Sequence, residues 1–114
     1  MKKIYCLGLL LCMLLIISGC ASVNVTKTAK GYFTATDPNE IEILITVPGR
    51  SFTEIATVTT SGWGLGDTAK MHNSLRAKCA PLGANAVILG DSGIIPDIGG
   101  QRYWSSGVAI RYKD

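Results

Sequence analysis

The chain has 114 residues, 47% of them hydrophobic, and a formal net charge of +3. That length supports one small domain. Lys2 and Lys3 stand at the extreme start and leave nine basic against eight acidic side chains behind them. The remainder is therefore nearly neutral, with no basic run to give the electrostatic footprint of a nucleic-acid binder.

Ile4 to Ile17 is a run without charge. As a helix its fourteen residues would span roughly 21 Å, short of the ~30 Å hydrocarbon core of a bilayer. A charged start, a short apolar run and a small-residue cleavage site make a secretory signal peptide. Ile17-Ser18-Gly19-Cys20 closes the run and resembles the lipobox of bacterial lipoproteins. The resemblance implies cleavage between Gly19 and Cys20, lipid on the Cys20 thiol and acylation, with palmitate as a label, at the freed amine. Two or more acyl chains anchor a protein stably where one binds marginally. The competing reading is an uncleaved membrane helix continuing to Val25. Ala21 and Ser22 stand where an Asp tends to retain enterobacterial lipoproteins in the inner membrane. The expectation is an outer-membrane lipoprotein facing the periplasm: signal peptide 1–19, lipid-anchored tether 20–36 and a small domain 37–114.

Cys6 and Cys12 leave with the signal and Cys20 carries the lipid, so Cys79 alone remains. An exported lone thiol is buried, paired with another chain, or reactive.

Val23 to Lys30 is polar and Thr-rich, as a tether would be, and Gly31 to Thr36 fits either the tether or an edge strand. Asp37-Pro38-Asn39 marks a turn. Ile41, Ile43, Ile45 and Val47 alternate with Glu42 and Thr46, the pattern of a half-buried strand that Pro48-Gly49 ends. Phe52 to Thr60 predicts a second strand, and the short connection predicts an antiparallel pair. Three glycines in Ser61 to Gly66 argue against regular structure. The Lys and spacing of a P-loop are missing from it. Trp63 on that stretch is either folded over the core as a lid or displayed to a partner.

Asp67 is placed to cap a helix in which Met71, Leu75, Cys79 and Leu82 form one apolar stripe. Pro81 distorts its last turn and Gly83 stops it. Ala86 to Gly90 is wholly apolar, as in a central strand. Asp91 to Arg102, with Gly93, Pro96, Gly99 and Gly100, reads as a loop. Tyr103 to Tyr112 is the last strand, where Gly107 marks a bulge or close packing against the helix. The predicted architecture is α+β: a mainly antiparallel sheet (β-β-α-β-β) with one helix packed across a face.

The run Leu82-Gly83-Ala84-Asn85-Ala86-Val87-Ile88-Leu89 after the predicted helix, followed by Gly107-Val108-Ala109-Ile110, is similar to the RcsF-like domain of outer-membrane lipoproteins. It is also similar to the small YbjQ-like domains labelled heavy-metal-binding. Coverage runs over residues 40–112. The first resemblance implies a sensor-like or protein-binding module, the second a ligand or metal-ion binder. The RcsF-like pattern ties its loops to the sheet with disulfides, whereas Asp91 to Trp104 holds no cysteine. Its stress-sensing role therefore does not carry over, and no YbjQ-like ligand set is found here.

His72 and Cys79 lie two helical turns apart, roughly 10 Å between Cα atoms, too far for adjacent ligands of a site that needs three or four. Asp91 and Asp97 flank the predicted loop without the spacing of a calcium-binding loop. The expectation is no enzyme, no cofactor and no metal centre. The leading reading is a non-catalytic envelope lipoprotein that binds another protein through sheet edge and loops, with Trp63 and Trp104 as candidate interaction residues. Ligand or metal-ion binding involving His72 or Asp91 is the alternative, and an enzyme using Cys79 the third. The expected partners are the membrane through Cys20, an envelope protein or further copies of the chain, and no nucleic acid.

Overall fold

The computed structural model describes residues 21–113. The predicted signal peptide and Cys20 lie outside the described residues. The elements in chain order are β1 (Ser22–Lys27), β2 (Glu42–Leu44), β3 (Phe52–Trp63), α1 (Thr68–Cys79), β4 (Ala86–Asp97) and β5 (Gly100–Tyr112). One five-stranded sheet runs β1-β3-β5-β4-β2. Three neighbour pairings are antiparallel, and β2 lies parallel to β4. The fold is thus α+β with a mixed sheet and one helix.

The spacing of α1 works as the apolar stripe demands. Met71, Leu75 and Cys79 are fully buried against residues from one sheet face, including Val23, Val25, Val58, Val87 and Ala109. Burying a side chain of Val, Leu or Met size contributes about 1.5–3 kcal/mol, so this single stripe holds the two layers together. The helix ends as Pro81 dictates. Ala80–Leu82 tightens into a 3-10 turn, and Gly83 takes the left-handed conformation at φ 88°. Asp67 stands at the N-cap position without a side-chain cap bond, and its carboxylate lies 3.8 Å from Lys70 Nζ.

Four expectations are corrected. First, the stretch read as tether is part of the domain. Ser22 to Lys27 pairs with Ala56 to Ser61, Val23 and Val25 pack on the core, and Thr36 donates its main-chain N–H to Ala80 O at 2.9 Å. The order is β-β-β-α-β-β. Second, β2 and β3 are not neighbours but lie on opposite sides of the sheet. The chain leaves β2 after Leu44, and Ile45 and Val47 stand 83% and 71% exposed although the alternation continues through them.

Third, the predicted loop from Asp91 is strand. β4 and β5 pair out to Asp97 and Gly100, leaving a two-residue turn. Pro96 is tolerated because that part of β4 is a sheet edge, where no neighbour needs its missing N–H. Fourth, β3 continues through Gly62 to Trp63, with a register shift where Gly62 takes φ 83°. Gly107 is a site of close approach, but to β4 and not to α1. A Cβ there would stand 2.4 Å from the Ile88 carbonyl oxygen.

Asn85 sits where α1 hands over to β4. Its N–H donates to Ile110 O at 2.8 Å and its carbonyl accepts from Glu42 N–H at 3.1 Å. Its side-chain Oδ1 accepts from Tyr112 N–H at 2.8 Å. Asn85→Ala strands the part-buried Tyr112 N–H and is expected to lower the unfolding free energy by about 1–3 kcal/mol. Asn85→Asp keeps the acceptor and should lose less. Urea unfolding of both variants checks the order; equal losses would assign the effect to backbone alone.

Burial pushes the Cys79 thiol up from its ordinary 9.0 to about 11. Below pH 9 both folded and unfolded chains hold the proton and the stabilisation is intact. Between pH 9 and about 11 the unfolded chain releases it first, so stability falls as pH rises. Burial and Glu42 also raise Tyr112, so Cys79→Ala should flatten this alkaline decline without abolishing it. Native protein at pH 8 should react with a thiol reagent only as fast as it unfolds. Rapid stoichiometric reaction without denaturant would contradict the burial.

Candidate functional site: the uncovered sheet face

The helix covers one side of the sheet, and the register fixes what the other side presents. Thr57 stands between Thr26 and Val108, Thr59 between Asn24 and Ser106, and Val108 beside Ile88. These residues alternate with the buried Val58 and Thr60, so period-2 geometry carries their side chains away from α1. The result is a hydroxyl-bearing border beside a small apolar centre, Ile88 and Val108, both only partly buried.

A depression of about 420 Å³ opens on this face, lined by Thr57, Thr59, Ile88, Asp91, Ser106 and Val108 among others. Gly90 also lines it; a Cβ there would rest 3.7 Å from Ser106 O, so the missing side chain leaves the space open. The β4–β5 register shifts here, between Leu89 and Ser92, which is where a bulge turns an edge strand. Trp104 lies farther along the same face, partly exposed and crossing Gly93. A Cβ on Gly93 would meet Trp104 Nε1 at 2.7 Å, so glycine there lets the indole lie flat on the sheet.

The two tryptophans take opposite roles. Trp63 is 8% exposed and its Nε1 donates to Thr60 Oγ1 within the buried layer. It is the lid of the two alternatives, and its ring offers a partner almost no surface. Trp104 is the one that faces outward. The sequence pointed to Trp104 by residue type alone and missed Thr57, Thr59, Ile88 and Val108. For Thr57 and Thr59 the signal was present in the alternation of β3. A register shift between Glu54 and Ala56, which buries Ile55 and Ala56 in succession, broke the pattern before it could be followed.

The titratable candidates do not converge. Cys79 is in the core beneath α1. His72 is partly buried on α1; burial, then the neighbouring Arg76 guanidinium, holds its imidazole below the usual histidine range. Arg76 itself is tied to Ile41 O at 2.9 Å and Asn73 Oδ1 at 3.0 Å. Asp91 is exposed on the rim of the depression and Asp97 lies in the distal end of β4. Among the described residues no three His, Cys, Asp or Glu side chains come together as metal ligands. Of the residues lining the depression, Asp91 is the charged one. What the face can do is bind: hydroxyls donate and accept, and the apolar centre excludes water.

No family model matches the chain, and no curated protein matches it in sequence. Among solved structures, the crystal structure of a Francisella virulence factor, FvfA, superposes with a TM-score of 0.60. The match covers 79% of this chain and 98% of that one at 12% sequence identity. At that identity the likeness is one of fold, and it supports the single-domain α+β architecture described above.

Proposed function

We propose that this is a non-catalytic lipoprotein of the bacterial envelope, anchored through Cys20 and binding another envelope protein on the sheet face opposite α1. The observation that carries the reading is that face. Its depression beside Ile88 and Val108 and the outward-lying Trp104 form an apolar area with a polar border. Such areas on small proteins are characteristic of interaction sites. Aromatic anchors of this kind supply much of the affinity at protein interfaces. A sheet packed on one side only keeps its second side free for a further layer, and a partner provides it. Lipidation rests on the Ile17-Ser18-Gly19-Cys20 run, and the lack of Asp after Cys20 favours the outer membrane, with the domain in the periplasm.

A photo-crosslinking residue in place of Trp104, and separately of Val108, should yield a discrete adduct with another protein in living cells. The same residue at Lys78, on the exposed side of α1, should not. A ladder of self-adducts would replace the hetero-partner with further copies of the chain. Cys20→Ala should abolish incorporation of labelled palmitate; undiminished labelling would sink the anchor.

A further inference from the structure

Four of the exposed large hydrophobic side chains cluster at one end of the sheet. Ile94 and Ile95 are 53% and 52% exposed, Leu65 is 51% exposed, and Ile98, in the β4–β5 turn, is fully exposed. Leu65 follows the end of β3, and Trp63 there pairs with Tyr103 on β5. Beyond Tyr103 the β4–β5 hairpin continues alone for three further residue pairs, from Ile95 opposite Arg102 to Asp97 opposite Gly100. It is an arm with an apolar tip.

β1 starts at this same end. Ser22 pairs with Ser61, and the neighbouring Thr60 pairs with Ser105, so Ser22 lies level with about Trp104. From that level to Gly100 the arm runs four residues, roughly 13 Å at strand rise. Cys20 is two residues before Ser22 and so reaches at most about 7 Å in the same direction. The tip therefore extends some 6 Å past the farthest position of Cys20, which matches the ~5–10 Å depth of the headgroup–acyl boundary.

We infer that the β4–β5 tip inserts into the surface of the lipid bilayer that holds the anchor, with Ile98 deepest and Ile94, Ile95 and Leu65 around it. The inference rests on the lipidation of Cys20 proposed above. Its occupant follows from the shape of the arm. Ile94 and Ile95 are successive strand residues, so they point to opposite faces where the sheet narrows from three strands to a two-stranded ribbon. A protein surface covers one face of such a ribbon, whereas an acyl phase covers both. The arm from Ile95 to Arg102 holds one acidic and one basic residue, Asp97 and Arg102, so apolar transfer and not attraction to anionic headgroups drives the contact.

The test uses the full acylated protein in vesicles of phosphatidylethanolamine and phosphatidylglycerol. An environment-sensitive dye is placed on Ile98→Cys in a Cys79→Ala background, and a second on Tyr32→Cys, which lies beyond the other end of β1 and is 93% exposed. The dye at position 98 is expected to shift to shorter wavelength and to be quenched by bromine carried on the acyl chains. The dye at position 32 should stay unshifted and open to aqueous iodide. Equal iodide access at both positions overturns the insertion, as does a shift at 98 that fades on dilution with unlabelled protein, which would mark contact between copies. Mass spectrometry separates the two proposals: an acylated Cys20 with a water-exposed tip removes this inference alone, whereas an unmodified Cys20 removes both.

Discussion

The sheet depends on how Asn85 joins three strands at one point. β2 is only three residues long and pairs with β4 through Glu42, Ile43 and Leu44. It holds its place because the carbonyl of Asn85 fixes Glu42 N–H just before that ladder starts. On the opposite side the same residue bonds Ile110 and Tyr112 through main chain and side chain, setting the β4–β5 register where both strands are buried. Asparagine fits because its side-chain carbonyl serves a second main-chain donor in a place where a stranded N–H is costly.

That junction needs the turn before it. Gly83 is left-handed, and a Cβ there would meet Phe33 Cβ at 2.6 Å and Thr34 O at 2.8 Å. The chain from Phe33 to Thr36 closes over the turn. Arg111 donates to Gly83 O at 2.8 Å and to Thr34 O at 3.3 Å, with its guanidinium 5.4 Å from the Phe33 ring. Thr36 Oγ1 donates to Ala84 O at 2.5 Å. The segment ahead of Asp37 is thus a structural cover for the helix–strand corner, and it cannot also act as a slack tether.

What could be read in advance was what is local. The α1 stripe, the stop at Gly83 and the apolar start of β4 follow from spacing, from the fixed φ of Pro81 and from the freedom of Gly83 to turn left-handed. The partner of β2 was not legible, because pairing across the sheet is decided by long-range packing and three residues carry too little pattern to announce it. β1 did carry a pattern: Val23 and Val25 alternate with Ser22, Asn24 and Thr26. Its Thr-rich composition and its place after Cys20 are equally those of a tether. Gly93, Pro96, Gly99 and Gly100 marked the arm as loop, since glycine and proline weaken most strands. An edge hairpin accepts Pro96 because one side of its strand has no neighbour to satisfy, whereas Gly93 makes room for the Trp104 indole and Gly100 takes the positive φ beside the turn. At the candidate site, residue type singled out Trp104. Burial separated it from Trp63, and the apolar centre beside it became visible only once β4 and β5 were in register.

If Cys20 carries the proposed lipid, its closeness to β1 has a consequence for the uncovered face. A flexible linker would let the domain tumble and present every surface in turn. Here the proposed anchor precedes an edge strand held to β3 by six consecutive residue pairs, so strand direction and anchor direction are coupled. If the arm also meets the lipid, the domain is held at two points along one end of the sheet, and its strands stand away from the membrane. Both sheet faces then look sideways along the bilayer. The face closed by α1 is finished, with its apolar residues spent in the core. The face bearing Thr57, Val108 and Trp104 is open, and what it meets in that orientation is whatever lies beside it at the same membrane. On the proposed anchoring, a neighbour in the same membrane is then a more natural occupant than a freely diffusing ligand.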